Sequence, residues 1–486
     1  MKNTKKTILI AISLFAVLAC VSAGGADTNN PNRDRTPEQT PEPLTAPSAR
    51  AWATSWTHPN GDFWLFGGNG FDMHGNQGDL NDLWKWDGLS WSLVSGGDQV
   101  DEAGIYGTKG EPDPSNIPGS RSYSASWTDS TGNLWLFGGS GYDAFGNVGE
   151  LSDLWKWDGR NWIWMKGSDA INQEAVYRTR GHPDSANVPC PRHGGVSWTD
   201  ESDNLWLFGG TADKANGRAI WFNDLWRWDG TNWTWMSGSK EVNSNGNYGT
   251  IGVPDPDNVP GARCFATSWT DSDGNFFLFG GEGVAEEPNT RSLLNDIWKW
   301  DGANWTWVGG TKYYDMGRPG SKGVPDPENF LASRGGAAGW IDDSGNVWLF
   351  GGMGVYVRYK DEIWGGFLND LWKWDGESWT WINGFADFLH EDFDLLDLDG
   401  VYGTVGIPDA ANVPCSRGNA VSWVDTSGNF WLFGGQTSSF GGGLLDDFWR
   451  WDGANWTWIS GSNTTRGENA KVLETGQSKV ELDQLQ

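Results

Sequence analysis

Cysteine is scarce in this chain, with four among 486 residues: Cys20, Cys190, Cys264 and Cys415. So low a count in so long a chain excludes a disulfide scaffold. Histidine is nearly as scarce, with five residues, which limits imidazole-based metal chemistry. Long apolar runs are missing apart from Ile8 to Ala19, which is too short to span a bilayer. Positive charge is short as well: 34 Lys and Arg face 63 Asp and Glu, a net charge of −29. That balance excludes a nucleic-acid backbone or an anionic membrane surface as the main partner. It fits cationic partners, divalent cations or plain solubility, and solubility is the simplest reading.

Glycine and tryptophan are what the chain has in abundance, at 70 and 37 residues. Together they suggest many short strands broken by tight turns, with aromatic surface to bury. The N-terminus reads as a targeting segment over 1–23. Lys2, Lys5 and Lys6 precede the apolar run, and two exits from it are open. Val21-Ser22-Ala23 resembles an ordinary cleavage site. Val17-Leu18-Ala19-Cys20 resembles a bacterial lipobox that would lipidate Cys20. Either exit predicts an exported protein, whether periplasmic, at the cell surface or secreted. Residues 24–47, rich in Asn, Thr, Pro and acids, read as a disordered spacer.

Internal repetition dominates the rest. Leu-Phe-Gly-Gly occurs six times, its first glycines being Gly67, Gly138, Gly209, Gly280, Gly351 and Gly434, at spacings of 71, 71, 71, 71 and 83. Six arginines keep the same register: Arg50, Arg121, Arg192, Arg263, Arg334 and Arg417. Each is followed six residues later by a tryptophan, from Trp56 to Trp423. Every unit holds four strand-like runs. In the second unit these are Arg121 to Trp127, Asn133 to Phe137, Leu151 to Asp158 and Asn161 to Met165. Turn residues join runs one and two, and runs three and four, as antiparallel hairpins. The second run is apolar at successive positions, so it must be buried on both faces. Six such sheets packed face to face satisfy that need. The predicted fold is all-β, a six-bladed propeller with four antiparallel strands per blade over 48–462, followed by a polar tail over 463–486.

The Gly-Gly ending the second strand, the Trp-Asp of the third and the Trp of the fourth resemble the kelch repeat. That resemblance implies propeller blades like those in the central domain of galactose oxidase. It is specific for the fold and poor for the activity. Two loops exceed the usual kelch length. The inter-blade loop has its own signature at Tyr106 to Gly119, repeated at Tyr177 to Cys190, Tyr248 to Gly261 and Tyr402 to Cys415, with a partial copy at Gly323 to Asn329. Both long loops should stand on one face of the ring, where recognition is expected.

Several candidate sites follow. The six arginines should ring the channel mouth and hold a carboxylate, sulfate or phosphate. The alternative is that each pairs with an acid of its own inter-blade loop, such as Asp113 or Asp255. The repeated Asn-Asp pairs (Asn81-Asp82, Asn223-Asp224, Asn295-Asp296, Asn369-Asp370) suggest side-chain bonds to backbone at a strand start. The Trp-x-Trp pairs suggest inter-blade packing. Asp392, Asp394, Asp397 and Asp399, in an acidic insert of unit five over Phe385 to Gly400, form a weak calcium candidate beside the reading of a solvated loop. His182, Cys190 and His193 share one segment without a zinc spacing. Three Asn-Trp-Thr triplets match a glycosylation pattern but overlap a strand-forming repeat and are discounted.

Three functions compete. Near-identical blades favour an exported, non-catalytic propeller, expected to be a monomer without a cofactor. It would bind a protein or glycan ligand through its long-loop face and meet a membrane only through an N-terminal lipid. Resemblance to kelch-type sialic-acid mutarotases implies instead a channel-mouth arginine beside an acid. Resemblance to galactose oxidase implies a copper radical oxidase, whose ligand set has no visible match here.

Overall fold

The computed structural model describes residues 45–214, 217–286, 291–359, 362–385, 399–437 and 442–467. The targeting segment with Cys20, most of the spacer and tail, and Asp392, Asp394 and Asp397 lie outside them. The chain divides into two units, Met1–Pro43 and Leu44–Gln486, and only the second is described. No helix among the described residues is long and apolar enough to cross a membrane.

Each sequence repeat becomes one antiparallel sheet. In the second, Ala125–Thr128 pairs with Leu134–Tyr142, which pairs with Val148–Trp157, which pairs with Trp162–Lys166. The apolar second run is buried on both faces, as its unbroken pattern requires: Leu134, Trp135, Leu136 and Phe137 are all buried. The predicted first strand is broken in two. Arg121–Ser122 and Ala125–Thr128 both pair with the second strand, and the chain kinks between them. In units three, five and six the ends of strands two and three separate into small sheets of their own.

The sheets close into a wheel. The inner strands, beginning at Thr54, Ala125, Val196, Thr267, Ala338 and Val421, each touch the next, and the sixth touches the first. The protein is a six-bladed β-propeller. Indole side chains cross the seams: Trp56 donates to the Trp135 carbonyl at 3.0 Å and Trp127 to Trp206 at 2.8 Å. The closing seam uses the same device, Trp423 to Trp64 at 3.3 Å, within a core that joins Phe63, Leu65 and Trp84 to Trp431, Phe433 and Phe448. Among the described residues no strand is exchanged between units. Packing alone does not close the ring, however. Arg50 N–H donates to the Leu445 carbonyl at 3.0 Å, and Gly435 N–H donates to the Arg50 carbonyl at 2.9 Å. The second-to-third seam has the matching pair through Arg192.

The inter-blade loops differ from expectation. They are anchored to the blades, although positions such as Ile105, Ile251 and Ile407 stay exposed. Each lies along the outer strand of the blade that follows it, where unpaired backbone groups need partners. Gly110, Gly181, Gly252, Gly323 and Gly406 donate N–H to the carbonyls of Trp164, Trp235, Trp307, Trp381 and Trp458, all at 2.8 Å. The side-chain amides of Asn116, Asn187, Asn258, Asn329 and Asn412 reach the carbonyls of Trp162, Trp233, Trp305, Trp379 and Trp456.

Candidate functional site at the hub

The six arginines are buried, each 1% exposed, and each forms a bidentate pair inside its own blade. The partner is not a loop acid such as Asp113 or Asp255. It is the third-strand aspartate: Arg50 with Asp82, Arg121 with Asp153, Arg192 with Asp224, Arg263 with Asp296, Arg334 with Asp370 and Arg417 with Asp447. In the second blade both contacts are 2.8 Å, and the remaining donors of Arg121 reach the Gly119 and Gly138 carbonyls at 2.9 and 3.0 Å. Asp153 also accepts from the Trp155 indole at 2.7 Å and the Tyr106 hydroxyl at 2.5 Å. These pairs join strand one to strand three, and in four blades the aspartate also anchors the loop tyrosine. They present no donor to the channel, so the expected ring of anion-binding arginines is replaced by six structural nodes.

The Asn partners of those aspartates behave as the sequence suggested: Asn81 Oδ1 accepts from Gly97 N–H at 2.9 Å, and Asn369 Oδ1 from Phe385 N–H at 3.1 Å. His182, Cys190 and His193 do not converge, and among the described residues no group of three metal-type side chains does. Cys190, Cys264 and Cys415 form no disulfide with one another. Asp394 and Asp397 lie outside the described residues, so the calcium candidate keeps only Asp399 in view.

The kink two residues after each arginine builds the hub. Trp52, Tyr123, Gly194, Phe265, Gly336 and Asn419 all have left-handed φ, between 56° and 67°. Their backbones bond in a closed circle. Trp52 N–H donates to Asn419, Asn419 to Gly336, Gly336 to Phe265, Phe265 to Gly194, Gly194 to Tyr123 and Tyr123 to Trp52, at 2.8–3.1 Å. Three of the six carry aromatic rings. Tyr123 stacks on Trp52 at 5.1 Å and meets Phe265 at the same distance, across the third blade. Gly194 makes that contact possible, since a Cβ there would lie 2.4 Å from the Phe265 ring.

Around these rings the six-fold repetition breaks. His193 lies 5.2 Å from Tyr123 and pairs with Glu150 at 2.9 Å. Burial opposes its protonation, but the Glu150 charge and hydrogen bond, with Asp213 and Glu282, hold its pKa above the ordinary value. Burial and the charges of Asp79, Cys264, Glu282 and Asp213 raise the Tyr123 pKa well above normal, so its phenol stays neutral. Desolvation raises Asp79 to about 6, with Asp101 adding repulsion.

That shift predicts a pH dependence. Below about pH 4 Asp79 is protonated whether the chain is folded or not. Between about 4 and 6 the unfolded chain has released the proton and the folded one retains it, so Asp79 costs stability as pH rises. Asp79→Asn is expected to remove a loss on the order of 1 kcal/mol at pH 7, a modest value because the group still meets water. Urea unfolding of both proteins at pH 4 and pH 7 checks it.

The class is thus a six-bladed propeller whose blades carry kelch-like markers and whose hub is chemically individual. Among solved structures the chain is similar to YjhT, at 13% identity and a TM-score of 0.48, over 86% of this chain and 99% of that one. It is also similar to a fungal alcohol oxidase of the AA5 family solved with copper, at 11% identity and a TM-score of 0.38, over 86% and 75%. No family model and no curated protein matches the chain.

Sequence reasoning missed the hub. A weak signal was present in the positions two after each arginine, occupied by Trp, Tyr, Gly, Phe, Gly and Asn, while the arginine itself is invariant and the position three after it is always small. Variation inside a regular repeat marks a position freed from the scaffold's needs.

Proposed function

We propose that this protein is a non-catalytic binding propeller whose hub engages an uncharged or cationic glycan. The observation that carries the reading is the backbone at Trp52, Tyr123 and Phe265. A bulky residue at left-handed φ is costly, by about 1–2 kcal/mol. Glycine serves the same position in two other blades at no such cost. Retaining three aromatic rings against that strain points to work done by the rings themselves. Partly buried aromatic faces can stack on sugar rings, and neighbouring carboxylates accept hydrogen bonds from hydroxyl or ammonium groups. Glu150, Asp79 and Asp213 supply such groups beside the rings. An anionic sugar suits the hub less well, because the six arginines are committed within the blades. The mutarotase-like alternative needs one of them free at the mouth.

Calorimetric titration with neutral, amino-bearing and sialylated oligosaccharides tests the proposal. Binding of a neutral or amino-bearing glycan is expected, weakened tenfold or more in Tyr123→Ala and Phe265→Ala. Anomer exchange of a sialic acid accelerated by the protein, or tighter binding of sialylated glycans, would overturn it.

A further inference from the structure

A second departure from six-fold repetition lies directly against the hub rings. The residue after each arginine is small in five blades: Ala51, Ser122, Cys264, Gly335 and Gly418. In the third blade it is His193. Its imidazole Nδ1 meets Glu150 Oε2, on the third strand of blade two, at 2.9 Å. Both side chains are nearly buried, at 12% and 6% exposed. The arginine–aspartate nodes each lie inside one blade, whereas this pair spans a seam. Its other neighbours are the rings themselves: the imidazole centre is 5.2 Å from Tyr123 and 6.0 Å from Phe265. Gly194, next in the chain, has no side chain, so in blade three the imidazole is the ring that meets both. A buried ion pair adds little net stability. One kept at this seam, against the hub rings, points to a task performed there.

We infer that His193, tied to Glu150, is the positioning residue of the hub, holding the Tyr123 and Phe265 rings in their binding arrangement while its imidazole is charged and releasing them when it is neutral. The inference rests on the reading of the hub as a glycan site and adds a control to it. Two physical effects act together. A cation within about 6 Å of an aromatic centre attracts the ring, and here two rings lie in that range. The charge also makes the bond to Glu150 roughly twice as strong as a neutral one. A neutral imidazole still donates one N–H to Glu150, but its pull on the rings is gone. The carboxylates of Glu150, Asp213 and Glu282 then share the region without its charge to offset them. The groups facing His193 set the direction. Desolvation opposes the charge, and Glu150 from blade two, Asp213 from blade three and Glu282 from blade four outweigh it, so the charged form persists above the ordinary range. Tyr123 stays a neutral phenol, and Cys190, near Glu150, a thiol pushed up chiefly by burial. The binding arrangement is therefore held at slightly acid pH and lost as pH rises through the raised value.

The probes are maltotriose and tri-N-acetylchitotriose, both neutral, titrated calorimetrically into the intact protein and into His193→Gln between about pH 6.5 and about pH 9. Circular dichroism checks the fold of the variant. Glutamine keeps a donor for Glu150 and lacks the charge, so it stands in for the neutral imidazole. Wild-type affinity is expected to fall about fivefold across the range, while the variant stays at the weaker level throughout. Asp79, at about 6, titrates in both proteins and drops out of the comparison. A second readout needs no sugar. In wild-type protein carrying isotope-labelled tyrosine, the Tyr123 ring signal in NMR, identified by its loss in Tyr123→Phe, should move with the midpoint of the His193 imidazole. A Tyr123 signal indifferent to His193, or an affinity with the same pH dependence in both proteins, overturns the inference. A Tyr123 signal that follows His193 in protein that binds neither sugar supports the inference and defeats the glycan reading instead.

Discussion

Replacing Asp153 by alanine is expected to cost about 3–5 kcal/mol of folding stability, since it leaves the Arg121 guanidinium buried without its counter-charge. Three groups lose four hydrogen bonds at once. The Trp155 indole and the Tyr106 hydroxyl each lose an acceptor, and Arg121 loses both bidentate contacts. Removing one partner of a buried ion pair is worse than removing both, because desolvation remains unreturned. Arg121→Met combined with Asp153→Leu should therefore recover a large part of the loss. Asp158→Ala, in the exposed turn between strands three and four, is the control and should change stability little beyond its turn contacts to Arg160 and Asn161. Urea unfolding monitored by tryptophan fluorescence ranks the four proteins. Equal stability of Asp153→Ala and the wild type would mean that the node does not hold the blade together.

Trp423→Ala should destabilise by about 3–5 kcal/mol, the range for truncating a buried aromatic side chain. The informative comparison is Trp127→Ala. Trp127 lies at an interior seam and donates to Trp206, while Trp423 lies where the last blade meets the first and donates to Trp64. In a closed wheel the two seams are equivalent, and the losses agree within about 1 kcal/mol. In an open row the terminal indole would be half solvated, and its removal would cost much less. Thermal and urea unfolding of both variants separates the alternatives.

Much of the architecture could be read from the chain itself, because periodic burial demands leave periodic marks. The unbroken apolar run Leu134 to Phe137 has only one remedy, a neighbour on each face, and six such runs at equal spacing call for a ring. The turns after Trp127 and Trp157 are local chemistry and appear where their residues stand. What could not be read was pairing across 30 or more residues. Arg121 and Asp153 recur in every unit at similar separation, yet nearer acids such as Asp113 compete on paper. Only the sheet order brings strand three beneath strand one. The inter-blade loops misled for a related reason. Length and proline content suggest display, whereas Gly110 and Asn116 belong to the unpaired edge of Trp162–Lys166. The hub went unread because its decisive property is a backbone angle, and nothing in the residues Trp, Tyr and Phe announces φ near 60°.

Those six hub residues are held in place entirely by main-chain groups. The circle of bonds therefore does not itself use their side chains, although the left-handed backbone and close neighbours such as Phe265 beside Gly194 limit what can stand there. Such a socket could be rekeyed without rebuilding the lock: if the hub binds as proposed, side chains at the aromatic positions could change while every arginine–aspartate rivet stays where it is.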